Sequence, residues 1–186
     1  MPERFILDAN VLYSARLRDL FLQLHRNGAA SVFWTQRIEN EWTAALAANR
    51  PELRDTIERT VTAIHAAFAS AYIPEELVDP VAFGLPDPAD EHVAQAALAA
   101  GAAIITLNLA HFPSAALDVH RLTSISPDEA LKRLANEEPD LVLQSVRDIR
   151  RRLVNPPLRP SRYADGFEPA GCPSFASWLR ERLNEF

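Results

Sequence analysis

Short apolar runs alternate with longer amphipathic stretches over the first three quarters of the chain. Residues 4 to 8 (RFILD) and 31 to 34 (SVFW) are compact apolar runs that predict buried strands. The run 102 to 107 (AAIITL) follows Gly101 directly, and helix, glycine turn and apolar strand in that order form half of a βαβ unit. With a further strand at about residues 121 to 125, the pattern predicts a parallel sheet covered by helices.

The amphipathic stretches carry apolar residues at helical spacing and begin at capping residues. The helices are predicted at 10–27, from Thr35 through Leu46, at 52–72, 91–100, 126–138, 139–155 and 173–186. Ser126 and Glu129 form a predicted capping box, and either Asp87 or Asp90 opens the helix before Gly101. We predict an α/β domain at residues 1–135 and a helical C-terminal extension at 136–186, which contains a proline-rich connector.

Composition limits the possible classes of protein. A chain of 186 residues with 48% apolar and 24% charged residues suits one compact domain with a small annex. The net charge of −6 does not indicate a general binder of polyanions. The single cysteine, Cys172, excludes an intrachain disulfide framework and a cysteine zinc cluster. No apolar run reaches the roughly 18 residues of a membrane span, and the N-terminus lacks the pattern of a signal peptide, so we expect a cytoplasmic protein.

Four oxygen-bearing side chains are predicted to converge at one edge of the sheet. Asp8 ends the first strand, and Asn108 follows the strand IITL. Asp90 begins the helix that leads into that strand, and Glu41 lies on the helix after the second strand. Ligands in parallel α/β folds gather at the carboxyl ends of the strands, so these groups could share one cleft.

Three carboxylates in one cleft repel one another unless a cation lies between them. Because no histidine or cysteine cluster accompanies them, the donor set favours Mg²⁺ or Mn²⁺ over zinc. Such an ion could activate water for attack on a phosphodiester. Each acid also has an ordinary explanation: Asp90 could be a helix cap and Glu41 a solvated residue. Asp8 is the hardest to explain structurally, because acids are disfavoured in strands.

Three stretches resemble the motifs of the PIN-domain family, as found in VapC-type toxins of bacterial toxin–antitoxin pairs. FILDANVLYSARLRDL resembles the opening strand with its first acid, and TQRIENEWTAAL resembles the helix with the second. LPDPADEHVAQAALAAGAAIITLNLAHFP resembles the third and fourth motifs together. The resemblance covers roughly residues 4 to 126, and the tail resembles an extension found in some of these toxins.

The resemblance implies a fold, an activity and partners. The implied fold is an α/β/α sandwich with a short parallel sheet, and the implied activity is Mg²⁺- or Mn²⁺-dependent cleavage of RNA, often tRNA or rRNA. A cognate antitoxin and a homodimer are also implied. The implied metal ligands are Asp8, Glu41 and Asp90. Asn108 completes the implied catalytic set by orienting a ligand, a water or the substrate. The implied supporting groups are Asn10 and Thr106, with Asp87 as a spare acid.

The chain departs from the family pattern at two positions. Asn108 is uncharged where many members carry an acid, so a second metal ion would be held less well. His111 stands where close relatives tend to have an aspartate. It could titrate near neutral pH or be a surface histidine beside Phe112.

Two further features have several explanations. Residues 147 to 162 hold six arginines and one acid, which could contact an RNA backbone, meet an acidic partner or form a solvated face. The helix at 52–72 could form a groove for an antitoxin helix, although core packing is the simpler explanation. The same explanation applies to the three tryptophans, Trp34, Trp42 and Trp178.

Three functions are consistent with these residues. The first is a metal-dependent ribonuclease toxin, and the second is a catalytically weak RNA- or partner-binding module on the same fold. The third is a phosphatase-like enzyme with Asp8 as nucleophile. That chemistry usually needs a second aspartate two residues on and a lysine, whereas position 10 is Asn and Lys132 is the only lysine.

Overall fold

Five short parallel strands form one sheet at the centre of the molecule. The computed structural model describes residues 2–154 and 157–186. The strands are β1 (Glu3–Leu7), β2 (Ala30–Thr35), β3 (Tyr72–Ile73), β4 (Ala103–Ile105) and β5 (Ser124–Ile125). Their order is β3-β2-β1-β4-β5, and every pairing is parallel.

Helices surround this sheet and make up most of the remaining chain. They are α1 (Ala9–Tyr13), α2 (Ala15–Arg26), α3 (Gln36–Asn49), α4 (Arg54–Ala67), α5 (Glu91–Ala100), α6 (Ser114–Leu117), α7 (Pro127–Glu137), α8 (Pro139–Arg152), α9 (Pro160–Asp165) and α10 (Pro173–Arg180). Helix α2 packs on β2, and α5 packs on β1, β2 and β4. The predicted α/β/α fold with a short parallel sheet and a helical extension is therefore confirmed.

The topology marks one position on the sheet where a ligand site is expected. The chain moves from β1 through β2 to β3 at one edge and then returns to β4 on the other side of β1. This reversal places the topological switch point between β1 and β4. Ligands of open α/β sheets bind beside such points, at the carboxyl ends of the strands. Asp8 and Thr106 are the residues directly after these two strands.

The helix predicted at residues 10–27 is two helices, because the chain is extended at Ser14. The ψ angle of Ser14 is 107°, and its hydroxyl caps α2 by accepting a hydrogen bond from Leu17 N. The buried Arg18 donates to the carbonyl of Leu12 at 2.7 Å and so satisfies an acceptor at the end of α1. Apolar periodicity alone does not register such a break.

The helix predicted at 52–72 is shorter than expected, and a strand follows it. Helix α4 ends at Ala67, and β3 pairs Tyr72 and Ile73 with Trp34 and Thr35 of β2. A strand of two residues is too short to show a period of its own. Ile57 and Ile64 of α4 are buried, which supports the core-packing explanation for this helix.

Several further elements differ from the predictions, among them the last helix, which ends at Arg180 rather than at residue 186. Strand β4 ends at Ile105 rather than Leu107. Helix α8 ends at Arg152, and the predicted last residue of that helix, Asn155, lies outside the described residues. The proline-rich connector contains α9, which begins at a proline in the first turn, where the missing N–H costs nothing.

The C-terminal extension packs on the α/β domain. Helix α8 lies against α2, and α10 lies against α7. The carboxylate of Asp128 on α7 accepts hydrogen bonds from Ser174 N and Phe175 N at the start of α10. Arg16 of α2 donates to the carbonyl of Tyr163 at 3.0 Å and lies over its ring. The division at residues 135 and 136 stays a prediction.

The core confirms the expected role of the tryptophans, since Trp34, Trp42 and Trp178 are all buried. Among the residues that the structure describes, no helix is both long and apolar enough to span a membrane.

Candidate metal centre

Asp8 lies at the switch point and is held there by three hydrogen-bond donors. Its Oδ2 accepts from Asn10 Nδ2 at 2.6 Å and from Thr106 Oγ1 at 2.7 Å, and its Oδ1 accepts from Ala9 N at 2.6 Å. Asn10 also accepts from Leu107 N through Oδ1, at 3.0 Å. These contacts join the ends of β1 and β4 and fix the orientation of the carboxylate.

Burial makes the ionised form of Asp8 costly. The residue is only 6% exposed, and this burial raises its pKa. The hydrogen bonds from Thr106, Ala9 and Asn10 act in the opposite direction, and the negative charge of Asp90 raises the pKa further. The charge of Asp90 thus adds to the cost of ionising Asp8.

Glu41 faces the same acids from helix α3. Its Oε1 lies 3.5 Å from Arg37 Nε and 2.9 Å from His92 Nε2. Partial burial is the main cause of its raised pKa, which Arg37 lowers and the charges of Asp8 and Asp90 raise. Glu41 is thus a member of the acidic group as well as a partly solvated residue.

Glu39 lies two residues earlier on the same helix and has a different environment. It is buried, and its carboxylate accepts from Trp34 Nε1 and Gln36 Nε2, both at 3.2 Å. His65 Nε2 lies 2.8 Å from the same carboxylate. Residues two apart on a helix point in nearly opposite directions, so only one of these two glutamates can face the switch point.

Asp90 occupies the N-cap position of α5, but its side chain does not cap that helix. Asp87 accepts from Ala89 N at 2.9 Å and caps the turn Pro88–Asp90, whereas Asp90 makes no capping hydrogen bond with its side chain. Its Oδ2 instead lies 2.7 Å from His111 Nδ1. Asp87, Asp90 and His111 each offer one ligand atom, and all three atoms lie within 4.8 Å of one another.

Asn108 follows β4 at the carboxyl edge of the sheet. Its backbone N donates to Thr106 Oγ1 at 3.0 Å, and the residue is exposed at the start of the turn Leu109–His111. The exposed side chains of Leu107 and Leu109 flank it. The backbone of Asn108 is thus linked through Thr106 to Asp8, and the role of its side chain stays a prediction.

His92 is a member of this region that the sequence did not indicate. It is 6% exposed, and neither ring nitrogen makes a hydrogen bond of acceptable geometry within the described part of the chain. Burial, with a smaller contribution from Arg37, lowers its pKa to about 4, so the ring is neutral at physiological pH. Its position two residues after Asp90 was the only available signal, and spacing alone does not separate it from a core histidine.

Several arginines of the segment 147–162 make contacts within the chain. Arg150 donates to the carbonyl of Leu158 at 3.1 Å, and Arg152 donates to Gln23 Oε1 of α2 at 2.9 Å. Arg151 is exposed and lies 3.5 Å from Asp148. Part of the segment 147–162, at residues 155 and 156, lies outside the described residues. Its contact with RNA stays a prediction.

The donor set fits a hard divalent cation. Three carboxylates approach one another from different elements, and repulsion among them contributes to the raised pKa of Asp8 and of Glu41. Mg²⁺ and Mn²⁺ prefer oxygen ligands of this kind. A cation between the carboxylates would offset both their mutual repulsion and the cost of burying their charges.

The fold and this acidic group together define a class: an α/β/α protein with a candidate metal centre at the switch point of a parallel sheet. Comparison with family models is more specific. A PIN domain model matches residues 4–110, and a VapC50 C-terminal domain model matches residues 127–181. The chain belongs to the PIN-domain family, as a VapC-type protein with a C-terminal extension.

Comparison with curated proteins and with solved structures gives no match. Proteins of the PIN and VapC families are generally metal-dependent nucleases of toxin–antitoxin pairs, and the family implies an RNA substrate and an antitoxin partner.

Proposed function

We propose that the protein is a metal-dependent endoribonuclease that acts as the toxin of a type II toxin–antitoxin pair. It hydrolyses phosphodiester bonds of RNA. The observation that carries this proposal is the grouping of acids near the switch point: Asp8 is hydrogen-bonded to the residue after β4, and Glu41 Oε1 lies 2.9 Å from His92, two residues after Asp90. The charges of Asp8 and Asp90 also raise the pKa of Glu41. A site that collects mutually repelling carboxylates is suited to a cation.

Each site residue has a proposed role. Asp8 and Asp90 hold Mg²⁺ or Mn²⁺ directly, and Glu41 holds it directly or through water. Asn108 orients a ligand, a water or the substrate. A divalent ion in such a site supplies Lewis-acid activation of water and offsets the charge that develops on a scissile phosphate.

The residues around Asp8 prepare it for this role. Asn10 and Thr106 donate to the same oxygen, Oδ2, and fix the carboxylate before any ligand arrives. They also lower the pKa of Asp8 against the effect of burial, which favours the ionised form that binds a cation. This preorganisation avoids a reordering cost when the ion and the substrate bind.

The partners follow from the family. We propose an RNA substrate, with tRNA and rRNA as the first candidates, a cognate antitoxin protein and a homodimeric assembly in the cytoplasm. The exposed Arg151 is available to contact an RNA phosphate, whereas Arg150 and Arg152 also have structural contacts to maintain.

The test is cleavage of purified total tRNA and rRNA by the antitoxin-free protein in Mn²⁺, in Mg²⁺ and in EDTA. Discrete fragments that require the metal support the nuclease, and their ends begin to define the target. A folded protein that cuts neither RNA in any of these conditions would contradict the proposal and favour a catalytically weak RNA- or partner-binding module.

A further inference from the structure

A cavity of about 330 Å³, open to solvent, lies beside the first turn of α3 and outside the metal centre. Its lining residues are Gln36, His65, Ala69 and Tyr72. Gln36 directly follows β2, and Tyr72 begins β3, so the cavity lies at the same carboxyl edge of the sheet as the metal centre. Since β3 is two strands away from β1, the ends of these strands are roughly 10 Å apart, twice the spacing of adjacent strands.

A buried carboxylate holds two walls of this cavity in place. The side chain of Glu39 is 4% exposed; it accepts from Gln36 Nε2 at 3.2 Å and lies 2.8 Å from His65 Nε2. Because a carboxylate only accepts hydrogen bonds, Nε2 must carry the hydrogen of the contact with His65. Glu39 thus fixes the orientation of both wall residues and of the hydrogen on the imidazole ring.

Two hydrogen-bond acceptors remain on the cavity walls. The Tyr72 hydroxyl donates to Gln36 Oε1 at 3.2 Å, which leaves lone pairs on its oxygen. With the hydrogen of His65 on Nε2, Nδ1 of the neutral ring is an acceptor, and this side chain is 43% exposed. The two rings are 5.7 Å apart and inclined at 59°. The cavity therefore combines two aromatic surfaces with two acceptors.

The charges around the cavity favour a neutral ligand. Burial raises the pKa of Tyr72, and the charges of Glu75, Glu39 and Glu76 raise it further. These three carboxylates would repel a phosphate group. A nucleobase is neutral and planar, and unpaired bases of RNA commonly stack on aromatic side chains, including histidine. The volume of the cavity is also within the range of small-ligand sites.

We propose that this cavity is a subsite for an unpaired base of the RNA substrate and that it prefers adenine or cytosine. The exocyclic amino group of either base donates to His65 Nδ1 and to the Tyr72 hydroxyl oxygen, while the base packs against the two rings. Guanine and uracil carry a carbonyl oxygen at the same position, which would face the two acceptors. The inference rests on the proposed function for the class of substrate, and it adds base recognition outside the metal centre.

The test is an NMR titration of the full-length protein, without metal or RNA, with adenosine and with purine riboside, which lacks only the amino group. Adenosine should shift the ring resonances of His65 and Tyr72 until the site is saturated. Purine riboside should bind about fivefold more weakly, as expected for the loss of one net hydrogen bond.

Variants of the two walls separate recognition of the amino group from general binding. Tyr72→Phe and His65→Phe each keep an aromatic ring and remove one acceptor. Each should weaken adenosine binding by about fivefold and leave the affinity for purine riboside nearly unchanged. His65→Phe also removes a donor to the buried Glu39, so Tyr72→Phe decides the test if circular dichroism shows that the His65 variant is unfolded.

Thr62→Ala is the matched control, because Thr62 is an exposed residue of α4 outside the lining of the cavity. This variant should bind adenosine with the affinity of the wild type. Mapping of the RNA fragment ends gives a second readout. Adenine or cytosine should be enriched at one fixed position relative to the cut, and the enrichment should fall in Tyr72→Phe.

Three results would overturn the inference: no shift of these ring resonances with adenosine, equal affinities for adenosine and purine riboside, or adenosine binding that Tyr72→Phe leaves unchanged. Its failure is separable from that of the proposed function. RNA cleavage that depends on Asp8, in a protein whose cavity binds no adenosine, would retain the nuclease and reject the subsite. Saturable adenosine binding in a protein that cuts no RNA would do the reverse.

Discussion

Replacing Thr106 with valine tests how Asp8 is held in place. Thr106 is fully buried, and its Oγ1 donates to Asp8 Oδ2 at 2.7 Å. Thr106 Oγ1 also accepts hydrogen bonds from Asn10 Nδ2 and from Asn108 N, both at 3.0 Å. Valine keeps the branched shape and removes the hydroxyl, so the variant deletes these polar contacts with little change in packing.

The size of the effect follows from the partners. A hydrogen bond to a charged group contributes about 1.5–3 kcal/mol. Asn10 keeps its own bond to Asp8, and the exposed backbone of Asn108 can bond to water, so their losses are small. We expect Thr106→Val to lower the free energy of unfolding by about 2–3 kcal/mol. For a chain of this length, that corresponds to a fall in Tm of roughly 4–12 °C.

The effect should depend on pH in a defined direction. Burial raises the pKa of Asp8 above its ordinary value of 3.8, and the Thr106 hydroxyl opposes that shift. Valine therefore raises the pKa of Asp8 further. An acid with a raised pKa in the folded state loses stability as pH rises from its unfolded pKa through its folded one. The difference between Thr106→Val and the wild type should grow as pH rises above 3.8, the ordinary pKa of Asp8.

Urea unfolding at several pH values measures this difference, and Thr106→Ser is the matched control because it restores the hydroxyl. Metal affinity gives a second measure, since a higher pKa of Asp8 moves the onset of Mn²⁺ binding to higher pH. A valine variant with wild-type stability, or a serine variant as unstable as the valine variant, would refute the reasoning.

Two further pairs of variants test the site and the extension. Glu41→Gln should abolish metal-dependent cleavage. Glu39→Gln should lower the free energy of unfolding by about 1–3 kcal/mol and leave metal affinity unchanged, because the buried Glu39 accepts hydrogen bonds from Trp34 and Gln36. Loss of metal binding in the Glu39 variant would contradict the assignment. Gly171→Ala should lower Tm more than Gly101→Ala: both have positive φ, but a Cβ at Gly171 would also lie 3.0 Å from Leu107 Cδ2. Thermal melts measure this difference. An equal fall in Tm for both variants would mean that Leu107 moves aside without cost and would contradict the prediction.

The sequence predicted the sheet and its acids well because both depend on local signals. Apolar runs define β1, β2 and β4, and an acid directly after β1 is conspicuous. The break at Ser14 was missed because the cap of α2 and the Arg18 contact with Leu12 interrupt the helix without changing its apolar spacing, and β3 was missed because it depends on pairing with β2. Neither contact leaves a periodic trace in the chain.

The site shows the same division between local and tertiary information. Position after a strand indicated Asp8, but the pairing of Asp90 with His111 joins two turns that only the fold brings together. Helical spacing cannot decide whether Glu39 or Glu41 faces the metal centre, because the direction depends on how α3 is rotated against the sheet. Resemblance to the family selected Glu41, and the structure gives Glu39 buried partners of its own.

The most direct test of the central claim is the rate of RNA cleavage by Asp8→Asn in saturating Mn²⁺, beside the wild type and the exposed-surface control Asp118→Asn. We expect the Asp8 variant to be folded and slower by at least about 100-fold, the cost of losing one group that stabilises the transition state. The Asp118 variant should cut at the wild-type rate. An Asp8→Asn protein that cuts RNA at that rate and still requires the metal would contradict the proposed site.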